Sequence, residues 1–121
     1  MKLGVVILGH GSRLNEANSG LDDIVKIVKD RMKNAIVEPA FMSQAEPTIS
    51  DAIAKLAAQD VEKIVVMPLF LFAGMHVQKD IPEILAEERT KHPGVEILYA
   101  PNLGSDPRIV DIIIDRIKEV E

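Results

Sequence analysis

The 121-residue chain contains no cysteine and no tryptophan, and only one tyrosine and three phenylalanines. Without thiols there is no disulfide framework, no thiolate metal site and no cysteine nucleophile, so metal ligands must come from His, Asp, Glu, Met or backbone. With so little aromatic bulk, the core must be packed from Ile, Val, Leu, Met and Ala, which suits a parallel sheet covered by helices. Long apolar runs are also missing. The opening run, Leu3 to Leu8, is too short for a membrane span or a signal peptide and leads straight into glycines. A cytoplasmic location with no membrane partner is the expectation. Nor is there a basic stripe: the net charge is -5, with acids and bases interspersed, which argues against nucleic acid as a partner. The 47% hydrophobic content is enough for one domain, residues 1–121, near the small end of chains that fold alone.

Four times an apolar run is followed by a turn region and an amphipathic stretch, the signature of βα units in a parallel sheet. The runs are Leu3 to Leu8, Ala35 to Phe41, Lys63 to Phe72 and Val95 to Ala100. Leu21, Ile24, Val25, Val28 and Met32 give the first helix an apolar face at three- and four-residue spacing. The second helix follows Glu46 and Pro47, with Thr48 and Asp51 at capping-box spacing. Asp80 and Glu83 repeat that spacing, and Pro82 suits a first helical turn, so the third helix is expected to start near Asp80 after a loop from Ala73 to Lys79. The fourth starts around Ser105, Asp106 and Pro107 and should turn Ile109, Val110, Ile113, Ile117 and Val120 inward. Pro68 interrupts the third run. Either the strand is regular only to about Met67 and Leu69 to Phe72 continue as extended chain, or a long buried strand carries a bulge.

Right-handed crossovers, with helices needed on both faces, favour the strand order 2-1-3-4. Strands one and three are then neighbours. His10 follows strand one and His76 lies after strand three, so both overhang the crevice where open α/β sheets bind ligands. Two neutral imidazoles there can ligate Co, Ni, Fe or Zn in the divalent state. Two ligands hold an ion loosely, which suits passing it on and not a structural zinc site, which takes four. The plainer alternative for each histidine alone is a surface residue. Gly9 and Gly11 allow a sharp turn and close approach around His10. Ser12 and Arg13 could meet an anion, although Gly-His-Gly-Ser-Arg matches neither a Walker loop nor a dinucleotide fingerprint. Glu46, beside the second helix's N-terminus on the same sheet edge, is compatible with both capping and substrate contact. His92 falls at a helix C-terminus on the opposite edge and reads as structural.

Taken together, Gly9 to Arg13, Glu46-Pro47-Thr48-Ile49, Pro68 to His76, Lys79 to Pro82 and Asp106 to Val110 resemble the short class II tetrapyrrole chelatases. These are the small sirohydrochlorin cobaltochelatases. The resemblance spans nearly the whole chain. It implies a chelatase-like domain of the flavodoxin-like kind, a metal chelatase (lyase) activity, and insertion of Co2+ into sirohydrochlorin for corrinoid and cobalamin biosynthesis. Archaeal-type members also insert Ni2+ for coenzyme F430. By this likeness His10 matches the catalytic, metal-binding histidine and His76 the second metal ligand. Glu46, Leu71, Phe72, Ala73, Gly74, Met75 and His76 match substrate-binding positions. No permanently bound cofactor is implied, the metal being a substrate. Because longer relatives hold two such units in one chain, a homodimer is expected. The histidine-rich segment of some short members is absent.

Chemistry and resemblance agree. Inserting a divalent ion into a free-base tetrapyrrole displaces two pyrrole N–H protons, so the site needs a base beside a temporary ligand. Histidine can serve in either role. Leu69 to Met75 would provide an apolar wall for the flat ring, and Arg13, Lys79 and helix N-termini are candidate partners for its carboxylates. The alternatives are a sirohydrochlorin ferrochelatase for siroheme and a non-catalytic metal or tetrapyrrole carrier. Histidine phosphatases also place a His after strand one, but with Arg before it, where this chain has Gly9.

Overall fold

A computed structural model describes residues 2–12, 14–72 and 74–121, with the side chains of residues 15–17, 75 and 76 outside the description. The chain alternates β1 (Leu3–Gly9), α1 (Asn15–Arg31), β2 (Ala35–Phe41), α2 (Ile49–Ala57), β3 (Lys63–Pro68), α3 (Met75–Lys91), β4 (Glu96–Tyr99) and α4 (Pro107–Lys118). The four strands form one parallel sheet in the order β2-β1-β3-β4, as the crossover rules require. β1 is therefore central, and its five consecutive buried residues reflect cover on both faces.

Alternation along the strands sorts the core into two layers. Val5, Ile7, Val37 and Phe41 pack against Leu21 and Val25 of α1. On the other face Val6, Leu8, Ile64 and Val66 meet Ile53 and Leu56 of α2 and Val77, Ile81 and Leu85 of α3. Helices thus lie on both faces of the sheet. Thr48 and Asp51 form the expected capping box, each side chain accepting from the other's backbone N–H at 3.1 Å.

Pro68 ends β3 where its missing N–H costs nothing. Leu69 N–H donates to the Leu8 carbonyl on the β1 side, so position 68 faces the β4 side, and β4 pairing has already stopped at Val66–Tyr99. The shorter of the two readings of this run is the one found.

Two expectations fail. Helix α3 starts at Met75 and not near Asp80, so the stretch expected to be loop up to Lys79 is largely helical, and Pro82 lies inside the helix. Val77, Ile81 and Leu85 recur every four residues on the sheet-facing side, and their burial outweighs the broken turn at an exposed Pro82. Helix α4 does not turn its apolar residues inward: Val110, Ile113 and Ile117 are about half exposed, Val120 is 87% exposed, and no α4 residue is buried. The sheet side facing away from α2 and α3 is correspondingly open near β4, where Leu98 is 40% exposed.

Among the described residues one charged side chain is fully buried, Glu88 of α3. Its Oε2 accepts from Ser50 Oγ of α2 at 2.9 Å and from Lys91 Nζ at 3.1 Å, so burial leaves no lone carboxylate.

Candidate active site

The C-terminal edge of the sheet collects the chemistry. β1 ends at Gly9, and the next residue, His10, is exposed, with its ring centroid 4.0 Å from that of the buried Phe70 just past β3. The adjacency follows from the order β1-β3, which puts the exits of these two strands side by side. Phe70 gives the imidazole an apolar backing while the rest of the ring stays open to solvent.

The loop beneath His10 is held closely. Met42 N–H donates to the Gly9 carbonyl at 3.0 Å and Ser43 N–H to the His10 carbonyl at 3.1 Å, so the chain leaving β2 continues the pairing beyond the sheet. Gly11 adopts φ 90°, and a Cβ there would lie 1.7 Å from the Ser43 carbonyl oxygen. Only glycine meets both conditions. Next, Ser12 is tied to Asn18 of α1: its N–H donates to Asn18 Oδ1 at 3.0 Å, and its carbonyl accepts from Asn18 Nδ2 at 2.8 Å.

His10 lines a cleft of about 450 Å3 together with Gly11, Asn18, Leu21, Phe41 and Leu69. A neighbouring cleft of about 650 Å3 shares Ser12, Asn18 and Phe41 and adds Asp22, Gln44 and Glu46. Glu46 is exposed there and is not the helix cap, a role that Thr48 takes. Its position on this edge therefore owes nothing to capping geometry.

Of the wall segment, Leu69 enters the His10 cleft, whereas Leu71 and Phe72, 48% and 70% exposed, face another cleft of about 230 Å3 formed with Gly104, Asp106, Ile109 and Val110 at the start of α4. Gly74 caps α3, and Met75 and His76 begin that helix. The backbone thus puts His76 in the first turn of the helix leaving β3, beside the strand that delivers His10. The side chains of Met75 and His76, and Ala73 and Arg13 altogether, lie outside the described residues. Among the described residues no three His, Asp or Glu side chains converge as a metal cluster.

At the α4 start, the Asp106 carboxylate accepts from Arg108 Nη2 at 2.6 Å and from Arg108 N–H at 2.9 Å, and these hydrogen bonds hold it well below the usual carboxylate range. His92 is the C-cap residue of α3 on the opposite edge, with Nε2 3.8 Å from Glu88 Oε1. Its structural reading agrees with that place. Asn18 and Phe41, which line both clefts, do not stand out in the sequence. The one signal is an asparagine, a weak helix former, on the side of α1 that otherwise turns apolar residues to the sheet.

No helix among the described residues is long and apolar enough to cross a membrane. Residues 4–120 match the CbiX family. A sirohydrochlorin cobaltochelatase of Methanopyrus kandleri is 39% identical, over 97% of this chain and 96% of that protein. A chloroplastic sirohydrochlorin ferrochelatase of Arabidopsis thaliana is also 39% identical, over 95% of this chain but 51% of its own length. Among solved structures, a CbiX protein from Marinobacter aquaeolei VT8 has a TM-score of 0.81 at 32% identity, covering 97% of this chain and 95% of that one. The sirohydrochlorin chelatase SirB of Bacillus subtilis subspecies spizizenii, solved in complex with cobalt, reaches a TM-score of 0.93 at 29% identity, over 99% of this chain and 51% of that one. With the family match running nearly end to end, this chain belongs to the CbiX family, the short class II chelatases.

Proposed function

We propose that the protein is a sirohydrochlorin cobaltochelatase, with Co2+ and, in the same site, Ni2+ as substrate metals. The observation that carries the reading is the exposed His10 imidazole, seated on Phe70 at the open edge of the sheet, beside the strand whose following helix holds His76 in its first turn. Cobalt is favoured over iron because this chain aligns along 96% and 92% of two cobaltochelatases, from Methanopyrus kandleri and Methanothermobacter thermautotrophicus, but along 51% and 43% of two ferrochelatases, from Arabidopsis thaliana and Priestia megaterium.

In this reading residues 1–121 act as one chelatase unit. His10 and His76 present the ion to one face of the macrocycle, and the two displaced pyrrole protons leave to His10 or to water. One ring nitrogen cannot ligate and accept a proton at once, so the ion must have moved into the ring before His10 serves as base. Leu69 to Met75 and Glu46 contact the substrate. No resident cofactor is needed for this exchange of two protons for one dication.

The working unit is a homodimer. The exposed apolar face of α4 and the open sheet near Leu98 support this, as do cobalt-binding and iron-inserting relatives about twice as long as this chain. Light scattering should give twice the 13.3 kDa chain mass; an active monomer would contradict it.

The deciding experiment is anaerobic incubation of sirohydrochlorin with Co2+, Ni2+ or Fe2+ at substoichiometric protein, followed by absorption. Multiple turnovers fastest with Co2+ are expected. Faster turnover with Fe2+ would make it a ferrochelatase, and stoichiometric binding without turnover would make it a carrier.

A further inference from the structure

We infer that Asn18 is a positioning residue for His10, acting through the backbone of the loop that carries it; the inference rests on the proposed role of His10 in handling the metal. After Gly9 the chain leaves the sheet, and residues 10–12 have no regular structure. An exposed imidazole keeps a fixed direction only if the backbone beneath it is held. On the β2 side this is done by the Met42 and Ser43 N–H groups, which donate to the Gly9 and His10 carbonyls.

Asn18 does it on the α1 side. Its amide engages both backbone groups of Ser12, donating at 2.8 Å and accepting at 3.0 Å, in a partly buried setting. The match is chemically selective. The pair requires a donor and an acceptor on one short planar group; leucine offers neither, and aspartate keeps the acceptor but sets a carboxylate against the Ser12 carbonyl. Helix propensity does not explain asparagine at this place, since its side chain competes with helical hydrogen bonding. The fold therefore clamps the His10–Gly11–Ser12 loop from two directions, one by backbone and one by this single side chain.

The consequence for the reaction is geometric. A ligand that must receive an ion and release it to a ring needs its nitrogen held to within tenths of an ångström, and a small misplacement costs rate and not substrate recognition. Asn18 need not touch metal or macrocycle to matter.

The test uses the full chain with Asn18→Ala and Asn18→Asp, measuring Co2+ insertion against Co2+ concentration, the visible absorption of bound Co2+ without tetrapyrrole, and sirohydrochlorin affinity. For Asn18→Ala we expect kcat/KM for Co2+ to fall about ten- to a hundredfold, with an altered Co2+ spectrum and sirohydrochlorin affinity within about twofold. Asn18→Asp, which retains the acceptor for Ser12 N–H but sets a carboxylate against the Ser12 carbonyl, should also fall below the parent. Unchanged Co2+ kinetics would overturn the inference, as would a parallel loss of sirohydrochlorin affinity, which marks general damage. If Asn18→Ala does not fold, Asn18→Asp decides by the same two criteria. His10→Ala fixes the level of inference at fault: near-normal insertion there defeats the metal-site reading, whereas an inactive His10→Ala beside an unimpaired Asn18→Ala defeats only the role of Asn18.

Discussion

Replacing Gly11 by alanine tests how tightly the His10 loop is built. The new Cβ would fall 1.7 Å from the Ser43 carbonyl oxygen and 2.9 Å from its carbon, both backbone atoms that cannot rotate aside. Relief requires the two chains to part, breaking the hydrogen bonds from Met42 and Ser43 N–H to the Gly9 and His10 carbonyls. Each is worth about 1 kcal/mol net. Holding alanine at φ 90° costs about 1–2 kcal/mol more. The expected loss is about 3–4 kcal/mol, a large part of the roughly 5–15 kcal/mol that stabilises a small domain. At about 4 °C per kcal/mol for a chain of this size, the melting temperature should drop by roughly 12–16 °C. Gly20 provides the control. It lies within α1, and a Cβ added there would meet nothing within 4 Å, so Gly20→Ala should raise the melting temperature by about 2–4 °C. Circular dichroism melts of both variants measure the pair. If Gly11→Ala melts within about 3 °C of the parent, the close approach of the two loops is not as described.

His10→Ala and His76→Ala should each nearly abolish cobalt insertion with far-UV spectra unchanged, and His92→Ala should leave the rate near normal, in the same absorbance assay. Glu88→Ala leaves the Ser50 hydroxyl without its buried acceptor and should cost about 2–3 kcal/mol in urea denaturation, whereas Glu88→Gln, which can still accept from Ser50, should cost less. The lowered pKa of Asp106 means the folded chain binds its proton less readily than the unfolded chain. Its contribution to the α4 start is therefore complete above the ordinary carboxylate range, near pH 4, and fades as pH falls below it. Amide signals of Arg108 and Ile109 should report fraying there in acid, and Asp106→Asn should remove the dependence.

Much of the fold was legible because local and long-range signals agreed. Thr48 and Asp51 announced the α2 cap, and the four apolar runs with right-handed crossovers left one sensible strand order. The α3 start was misread because Asp80, Pro82 and Glu83 form a strong local start signal. Val77 and Ile81 carried the competing information, but their weight comes from the sheet they pack on, which a local pattern does not contain. The α4 pattern was read correctly as amphipathic, yet periodicity says only that a face must be covered, not that the same chain covers it. At the site, the glycines and His10 were visible as a cluster in sequence. Asn18 was not, because its role depends on two hydrogen bonds to a backbone six residues away.

The approach to α4 is joined to the wall beside the site. Leu103 N–H donates to the Phe70 carbonyl at 2.9 Å and Gly104 N–H to the Leu71 carbonyl at 2.7 Å, and Phe70 in turn backs His10. Two backbone hydrogen bonds and one ring contact thus separate the bare side of α4 from the imidazole. If the proposed homodimer forms on that side, assembly and metal transfer would share one free energy: conditions that part the two copies would loosen the ring wall, and a tetrapyrrole pressed against that wall would tighten their contact by the same amount.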